Sequence, residues 1–245
     1  MSCFELPDLR IESLGLPEEK ELLVLGGEPP DPLWLQKNVA LFTKIWAVDA
    51  GVEICYQCGL CPDYLVGDCD SASSAVWDWA EGAGAQIHLY ARKKAATDFQ
   101  LALDLIVNSG EPEGKQKAVF ITGCFGGRMD HLMSNVSSLL YWRRELIPVG
   151  MADQRQGLLI VNKNTGEKSL SFRYPPKALS LLPLSAACKG VSLEGVLWPL
   201  DKVNLTADKL WTVSNEVLFD QTQTDWSSHV KVSCENGNLG VYWFW

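Results

Sequence analysis

The chain is short of positive charge: 21 lysines and arginines stand against 30 acids, a net charge of −9 over 245 residues. Such a chain repels a phosphate backbone or an anionic membrane unless a local basic patch overrides it, so neither nucleic acid nor membrane is expected as a partner. Long apolar runs are also missing. Spanning a bilayer takes roughly 20 consecutive apolar residues, and the longest candidates here are broken by charges, glycines or prolines. Residues 1–20 carry acids and prolines where a secretory signal has a basic stretch and then an apolar run, so a cytoplasmic location is expected. In that compartment the eight cysteines read as reduced thiols rather than a disulfide framework. Two nucleotide signatures are absent. No Gly-x-x-x-x-Gly-Lys-Ser/Thr occurs, which excludes a standard P-loop enzyme. Gly26-Gly27-Glu28-Pro29-Pro30 does not fit a dinucleotide fingerprint, which disfavours hydride transfer.

What is present is a globular pattern, 47% hydrophobic, with enough apolar residues for one large core or two smaller ones. Up to Met151, β-rich runs alternate with helical patterns: 21–25, 45–48, 64–66, 86–89, 118–122 and 147–151 are predicted strands. That alternation indicates a parallel α/β sheet. Phe99, Ala102, Leu103 and Ile106 recur at helical spacing behind Asp98, and Leu132, Met133, Val136, Leu139 and Leu140 form a second stripe behind Asp130. Past about Gln156 the helical period disappears, and short strands alternate with turns such as Asn164-Thr165-Gly166, Tyr174-Pro175-Pro176 and Glu235-Asn236-Gly237. The expected organisation is an α/β domain over 1–155, Rossmann-like and nucleotide-binding, followed by an all-β sandwich over 156–245. The apolar end, Gly240 to Trp245, is expected to form a closing strand or an oligomer contact.

In an open parallel sheet, ligands bind outside the carboxyl ends of the strands. Four acid-bearing segments follow predicted strands: Asp49, the pair Asp68 and Asp70, Asp98, and Gly126-Gly127-Arg128-Met129-Asp130-His131. Several carboxylates on one edge repel one another and call for a cation. Magnesium suits them, because it takes hard oxygen ligands and needs neither histidine nor thiolate. In an extended segment Asp68 and Asp70 would both turn inward and Cys69 outward. Arg128, in a glycine-rich loop, can grip phosphate oxygens or pair with Asp130. Lys94 is close enough to Asp98 either to meet substrate phosphate or to be a solvated neighbour of Lys93. Cys55, Cys58 and Cys61 have a cluster-like spacing, but the fourth cysteine is misplaced and Cys69 lies inside the acidic motif, so the spacing favours buried thiols over iron–sulfur or zinc.

Taken in order, these segments resemble the thiamine pyrophosphokinase family from about Glu21 to the end. Gly67-Asp68-Cys69-Asp70-Ser71 is similar to the family's Gly-Asp-Phe-Asp-Ser, and Thr97-Asp98 opens a helix running into Ala102-Leu103. Gly127-Arg128-Met129-Asp130-His131 is similar to its Gly-Gly-Arg-x-Asp-His. Ser180 to Ser185, Gly195 to Leu200 and Ser214-Asn215-Glu216 look like its C-terminal signatures. The resemblance implies a homodimer that moves the terminal diphosphate of ATP to the hydroxyl of thiamine, giving thiamine diphosphate and AMP with Mg2+. It also implies that Asp68, Asp70 and Asp98 hold the metal and act in catalysis. Asp49, Lys94, Arg128 and Asp130 would serve the nucleotide, and Thr97, Trp198, Ser214 and Asn215 the thiamine. Two departures stand out. Asp49-Ala50-Gly51-Val52-Glu53 replaces Asp-Gly-Gly-Ala-Asn, and Lys93-Lys94-Ala95-Ala96 lacks an aspartate that the family commonly carries before Thr97. They leave open a different alcohol acceptor, or a non-catalytic sensor of thiamine or nucleotide.

Overall fold

The computed structural model describes residues 2–13, 16–109, 116–220, 222 and 225–245. The first element is a hairpin, β1 (Ser2–Leu6) and β2 (Leu9–Ser13), whose Phe4, Leu6, Leu9 and Ile11 are buried. An isolated two-stranded hairpin is marginal in water, and an apolar face needs a partner. β2 finds it along β10 (Lys168–Phe172), pairing antiparallel from Leu9↔Phe172 to Ser13↔Lys168. Two compact units result, residues 17–154 and residues 1–16 with 155–245. The chain passes from one unit to the other near residue 155. Residues 2–13, expected with the α/β part, pair instead with one another and with β10 of the β part.

In the α/β unit, strands β3 (Lys20–Val24), β4 (Lys44–Val48), β5 (Tyr64–Gly67), β6 (Gln86–Leu89), β7 (Lys117–Thr122) and β8 (Leu146–Ala152) form a run with order β8-β7-β3-β4-β5-β6. Every pairing in it is parallel. All six residues of β7 are buried, as expected for a strand covered on both faces. Helices α1 (Pro32–Asn38), α2 (Gly51–Gln57), α3 (Ser74–Gly82), α4 (Asp98–Asn108) and α5 (Met129–Tyr141) form the connections. α4 buries the predicted Phe99, Ala102, Leu103 and Ile106. On α5 the predicted stripe is only partly covered. Leu139 is buried, but Met133 is 59% exposed, and the other buried positions are Asn135 and Ser138. The polar face is tolerated because Ser138 Oγ accepts a hydrogen bond from Gln100 Nε2 at 3.2 Å.

The strand order reverses between β3 and β7, the point at whose carboxyl ends open parallel sheets bind ligands. Two glycine loops lie there, joined by Gly27 N–H donating to Gly123 O at 2.7 Å and Glu28 N–H to Phe125 O at 2.8 Å. Gly51 sits where a Cβ would lie 1.9 Å from Val24 O, so α2 can begin only with glycine at this distance from β3.

The other unit is antiparallel. β1, β2, β10, β14 (Ser228–Asn236), β12 (Ala187–Glu194) and β13 (Leu200–Thr206) pair in that order. β11 (Ala178–Pro183), β15 (Asn238–Phe244) and β9 (Gln156–Asn162) form a second antiparallel group. The turns predicted at 164–166 and 174–176 lie between strands; of the third, Glu235 and Asn236 extend β14 and only Gly237 turns the chain, and the apolar end is β15, with Trp243 2% exposed between β11 and β9.

Candidate active site

Three loops carry the acids to one edge. Asp49 follows β4 and is tied there by its N–H donating to Val66 O at 2.8 Å. Asp68 and Asp70 follow β5, and Asp98 opens α4. One carboxylate oxygen from each of Asp49, Asp68 and Asp70 lies within 4.8 Å of the others. Among the described residues this is the one such group of three or more His, Cys, Asp or Glu side chains, so the Cys55, Cys58 and Cys61 sulfurs do not converge as a metal site. The segment is not extended. Cys69 has φ 63°, in the left-handed region, and Asp70 N–H reaches back toward Asp68 Oδ1 at 3.3 Å. A turn thus puts the two acids together and leaves Cys69 exposed.

Asp49 is left-handed as well, at φ 52°, as is Ser214 at φ 57°. Each such non-glycine conformation costs of order 1–3 kcal/mol and concentrates at functional sites. Three of the four among the described residues lie in the motifs singled out from the sequence.

The electrostatics separate the acids. Burial pushes the Asp49 carboxyl above its ordinary pKa, and the charges of Asp98 and Asp68 add to the shift. Its Oδ1 is buried without a hydrogen-bond partner. Burial also raises Asp98, against the pull of Lys94. For Asp68 burial acts in the same sense, but hydrogen bonds with Asp70 and Lys94 outweigh it and the carboxyl is held below its usual range. Lys94 Nζ lies 3.1 Å from Asp68 Oδ2 and 3.1 Å from Asp98 Oδ1. Arg92 Nε approaches Asp70 Oδ2 to 2.6 Å, and Ser71 Oγ donates to Asp70 Oδ1 at 2.8 Å. The hard-oxygen trio and the orphaned Asp49 oxygen fit a magnesium-type cation.

Arg128 pairs with Asp130, its Nε donating to Oδ1 at 3.0 Å, and both side chains are largely exposed. Thr97 caps α4: its hydroxyl accepts from Gln100 N–H at 3.2 Å while the Gln100 side chain accepts from Thr97 N–H. Glu53 turns its Oε1 to the N–H of Ser73 at 2.9 Å.

In the β unit, an apolar cavity of about 270 Å³ is lined by Leu181, Leu193, Trp198, Leu200, Trp211 and Asn215, among others. Asn215 ties the wall together, accepting from Trp198 N–H at 3.2 Å and donating to Trp198 O at 2.8 Å. Ser214 N–H donates to Ser180 Oγ at 3.0 Å. Trp198 and Trp211 are 57% and 51% exposed at the mouth. Sequence reasoning singled out Trp198, Ser214 and Asn215 but missed Trp211, Arg92 and the anchoring role of Glu53. Arg92, beside Lys93-Lys94, and Glu53, where the family has Asn, each had a local signal, and Trp211 had none.

Two family patterns match the chain. "Thiamin pyrophosphokinase, catalytic domain" covers residues 36–151, and "Thiamin pyrophosphokinase, vitamin B1 binding domain" covers residues 167–239. The chain is 26% identical to the thiamine pyrophosphokinase of Bacillus subtilis over 178 residues, which is 72% of this chain and 80% of that one. It is 26% identical to thiamine pyrophosphokinase 3 of Oryza sativa subsp. japonica over 66% of this chain and 60% of that one. Its fold is similar to the crystal structure of the Bacillus subtilis enzyme, with TM-score 0.74 and 23% identity over 92% of this chain and 99% of the other. The yeast thiamin pyrophosphokinase structure is similar at TM-score 0.70 and 14% identity, over 94% and 88% of the two chains.

Proposed function

The chain belongs to the thiamin pyrophosphokinase family, enzymes that make thiamine diphosphate, and from that premise we propose how its residues divide the reaction. The acceptor is thiamine and the donor is ATP. The thiamine hydroxyl oxygen forms a bond to the β-phosphorus, the bond from that phosphorus to the oxygen bridging to the α-phosphate breaks, and AMP leaves with that oxygen. The hydroxyl proton passes to a carboxylate.

The supporting observation is the convergence of Asp49, Asp68 and Asp70 at the carboxyl ends of the parallel strands. These three would hold Mg2+, whose charge would neutralise phosphate oxygens. Asp98, outside the trio, orients the hydroxyl and takes its proton instead of holding the metal. Its burial-raised pKa suits a general base better than an ordinary aspartate would. Arg128 grips the triphosphate by exchanging Asp130 for phosphate oxygens, which an exposed pair does at little cost. Thr97 acts through the start of α4, which it caps.

Trp198, Trp211 and Asn215 hold the thiamine rings in the apolar cavity, and Ser214 fixes the wall. The antiparallel groups of the β unit pack as a sandwich; the alternating burial of β14 supports one covered and one open face. The enzyme acts as a homodimer. Leu197, Trp198, Leu210, Trp211, Val213 and Leu218 are all about half exposed within 22 residues, an apolar concentration that a monomer rarely leaves in water. Among the described residues no helix is long and apolar enough to cross a membrane, and we place the enzyme in the cytoplasm.

Incubation with ATP, MgCl2 and thiamine tests this reading, with AMP and thiamine diphosphate separated by chromatography. Equimolar appearance of both is expected, and the absence of AMP at high enzyme concentration overturns it.

A further inference from the structure

Lys94 is enclosed rather than extended toward solvent. Its side chain is 16% exposed, and its ammonium divides itself between Asp68 Oδ2 and Asp98 Oδ1 at 3.1 Å each. The next residues are Ala95 and Ala96, so no further acid on that loop competes for it. Arg92, the other base at the cluster, is 80% exposed and largely screened. Glu53, the extra acid on α2, turns its carboxylate to the N–H of Ser73 and is not one of the converging acids.

These contacts decide how much cation the site needs. Asp49, Asp68, Asp70 and Asp98 carry four negative charges when ionised, and Lys94 supplies one fixed positive charge inside the cluster. Asp98 is occupied by that ammonium and lies outside the trio whose oxygens converge. Three carboxylates remain for a divalent ion; Asp68 is shared with the enclosed Lys94 and Asp70 with the exposed Arg92.

We propose that Lys94 is a positioning residue that serves as the built-in second cation of the site, so that the nucleotide-free protein takes one divalent ion per chain, at Asp49, Asp68 and Asp70. The inference rests on the reading of that trio as the metal seat. A lysine that instead reached for substrate phosphate would leave metal binding unchanged when removed and would raise the KM for ATP alone.

The experiment is a calorimetric titration with Mg2+, repeated with Mn2+ followed by electron paramagnetic resonance, in the absence of ATP and thiamine. The wild-type protein should bind one ion per chain. Lys94→Met should bind either a second ion or the first at least about tenfold more tightly, since a like charge next to the ion has been removed. Its metal-free melting temperature should fall and be restored by Mg2+, whereas Lys94→Arg should keep wild-type stoichiometry. Ala95→Asp provides a second variant should Lys94→Met not fold, and it should raise the stoichiometry to two. Unchanged or weaker Mg2+ binding in Lys94→Met overturns the proposal, as does unchanged stoichiometry in Ala95→Asp or two ions in the wild type. Because no nucleotide or thiamine is present, the outcome is separate from the product assay. Missing AMP with one bound ion removes the proposed reaction but not the role of Lys94, and a wild-type protein that binds no Mg2+ removes that role as well.

Discussion

Lys117→Met isolates a carboxylate in the core of the α/β unit. Glu21 and Lys117 stand at the amino ends of the neighbouring parallel strands β3 and β7 and are 2% and 9% exposed. Lys117 Nζ lies 3.2 Å from Glu21 Oε1 and donates to Ser109 Oγ at 2.6 Å, while Glu21 Oε2 accepts from Trp46 Nε1. Methionine fills most of the lysine volume but leaves Glu21 a buried charge without its cation. Breaking a buried pair from one side costs about 3–5 kcal/mol. With a urea m-value of about 2 kcal/mol/M, the unfolding midpoint should fall by roughly 1.5–2.5 M. Glu21→Gln combined with Lys117→Met removes both charges and keeps an acceptor for Trp46, so the double variant should return to within about 1 kcal/mol of wild type. Equilibrium urea unfolding at 25 °C, followed by tryptophan fluorescence, reads all three. Mg2+ affinity should not change, because the pair lies at the sheet end opposite the acids. A single-variant loss below about 1 kcal/mol, or a double variant no better than the sum of the singles, refutes the reasoning.

Asp68→Asn or Asp70→Asn should reduce product formation by at least about a thousandfold with an unchanged far-ultraviolet dichroism spectrum; retained turnover removes the acids from the chemistry. Trp211→Ala should raise the KM for thiamine by about tenfold or more with a smaller effect on kcat, as steady-state kinetics will show, because it strips an aromatic wall from the cavity. Iodoacetamide labelling of the native protein should reach the exposed Cys3, Cys61 and Cys69 first. Cys55, with its pKa pushed to about 12 by burial, should react only after denaturation. The raised carboxyls give a pH signature. Burial lifts Asp49 and Asp98 above their unfolded value of 3.8, so the native metal-free protein binds more protons in that window. Their contribution to stability is therefore full below 3.8 and is lost as pH rises through the folded values. Mg2+ affinity moves the opposite way, weakening on acidification, and titrations at descending pH will show whether it does.

Legible along the chain were the order of strands and helices in the α/β part, the stripe of α4, the turns at 164–166 and 174–176 and the positions of the acids. These are local: a run of β-branched residues, a capping threonine or an acid after a strand is legible because neighbours along the chain decide it. Tertiary structure decided the rest. The β1–β2 hairpin has a strand pattern that any sheet edge could accept, and only pairing with β10 assigns it to the β unit. Glu21 and Lys117 are 96 positions apart and become a buried pair only when β3 and β7 lie side by side. Spacing alone could not show that a left-handed Cys69 folds Asp68 and Asp70 together, or that Asp49 rather than Asp98 completes the trio. The contact of Lys94 with Asp98 follows from an i, i+4 spacing, but its contact with Asp68, 26 positions away on another loop, is set only by through-space packing.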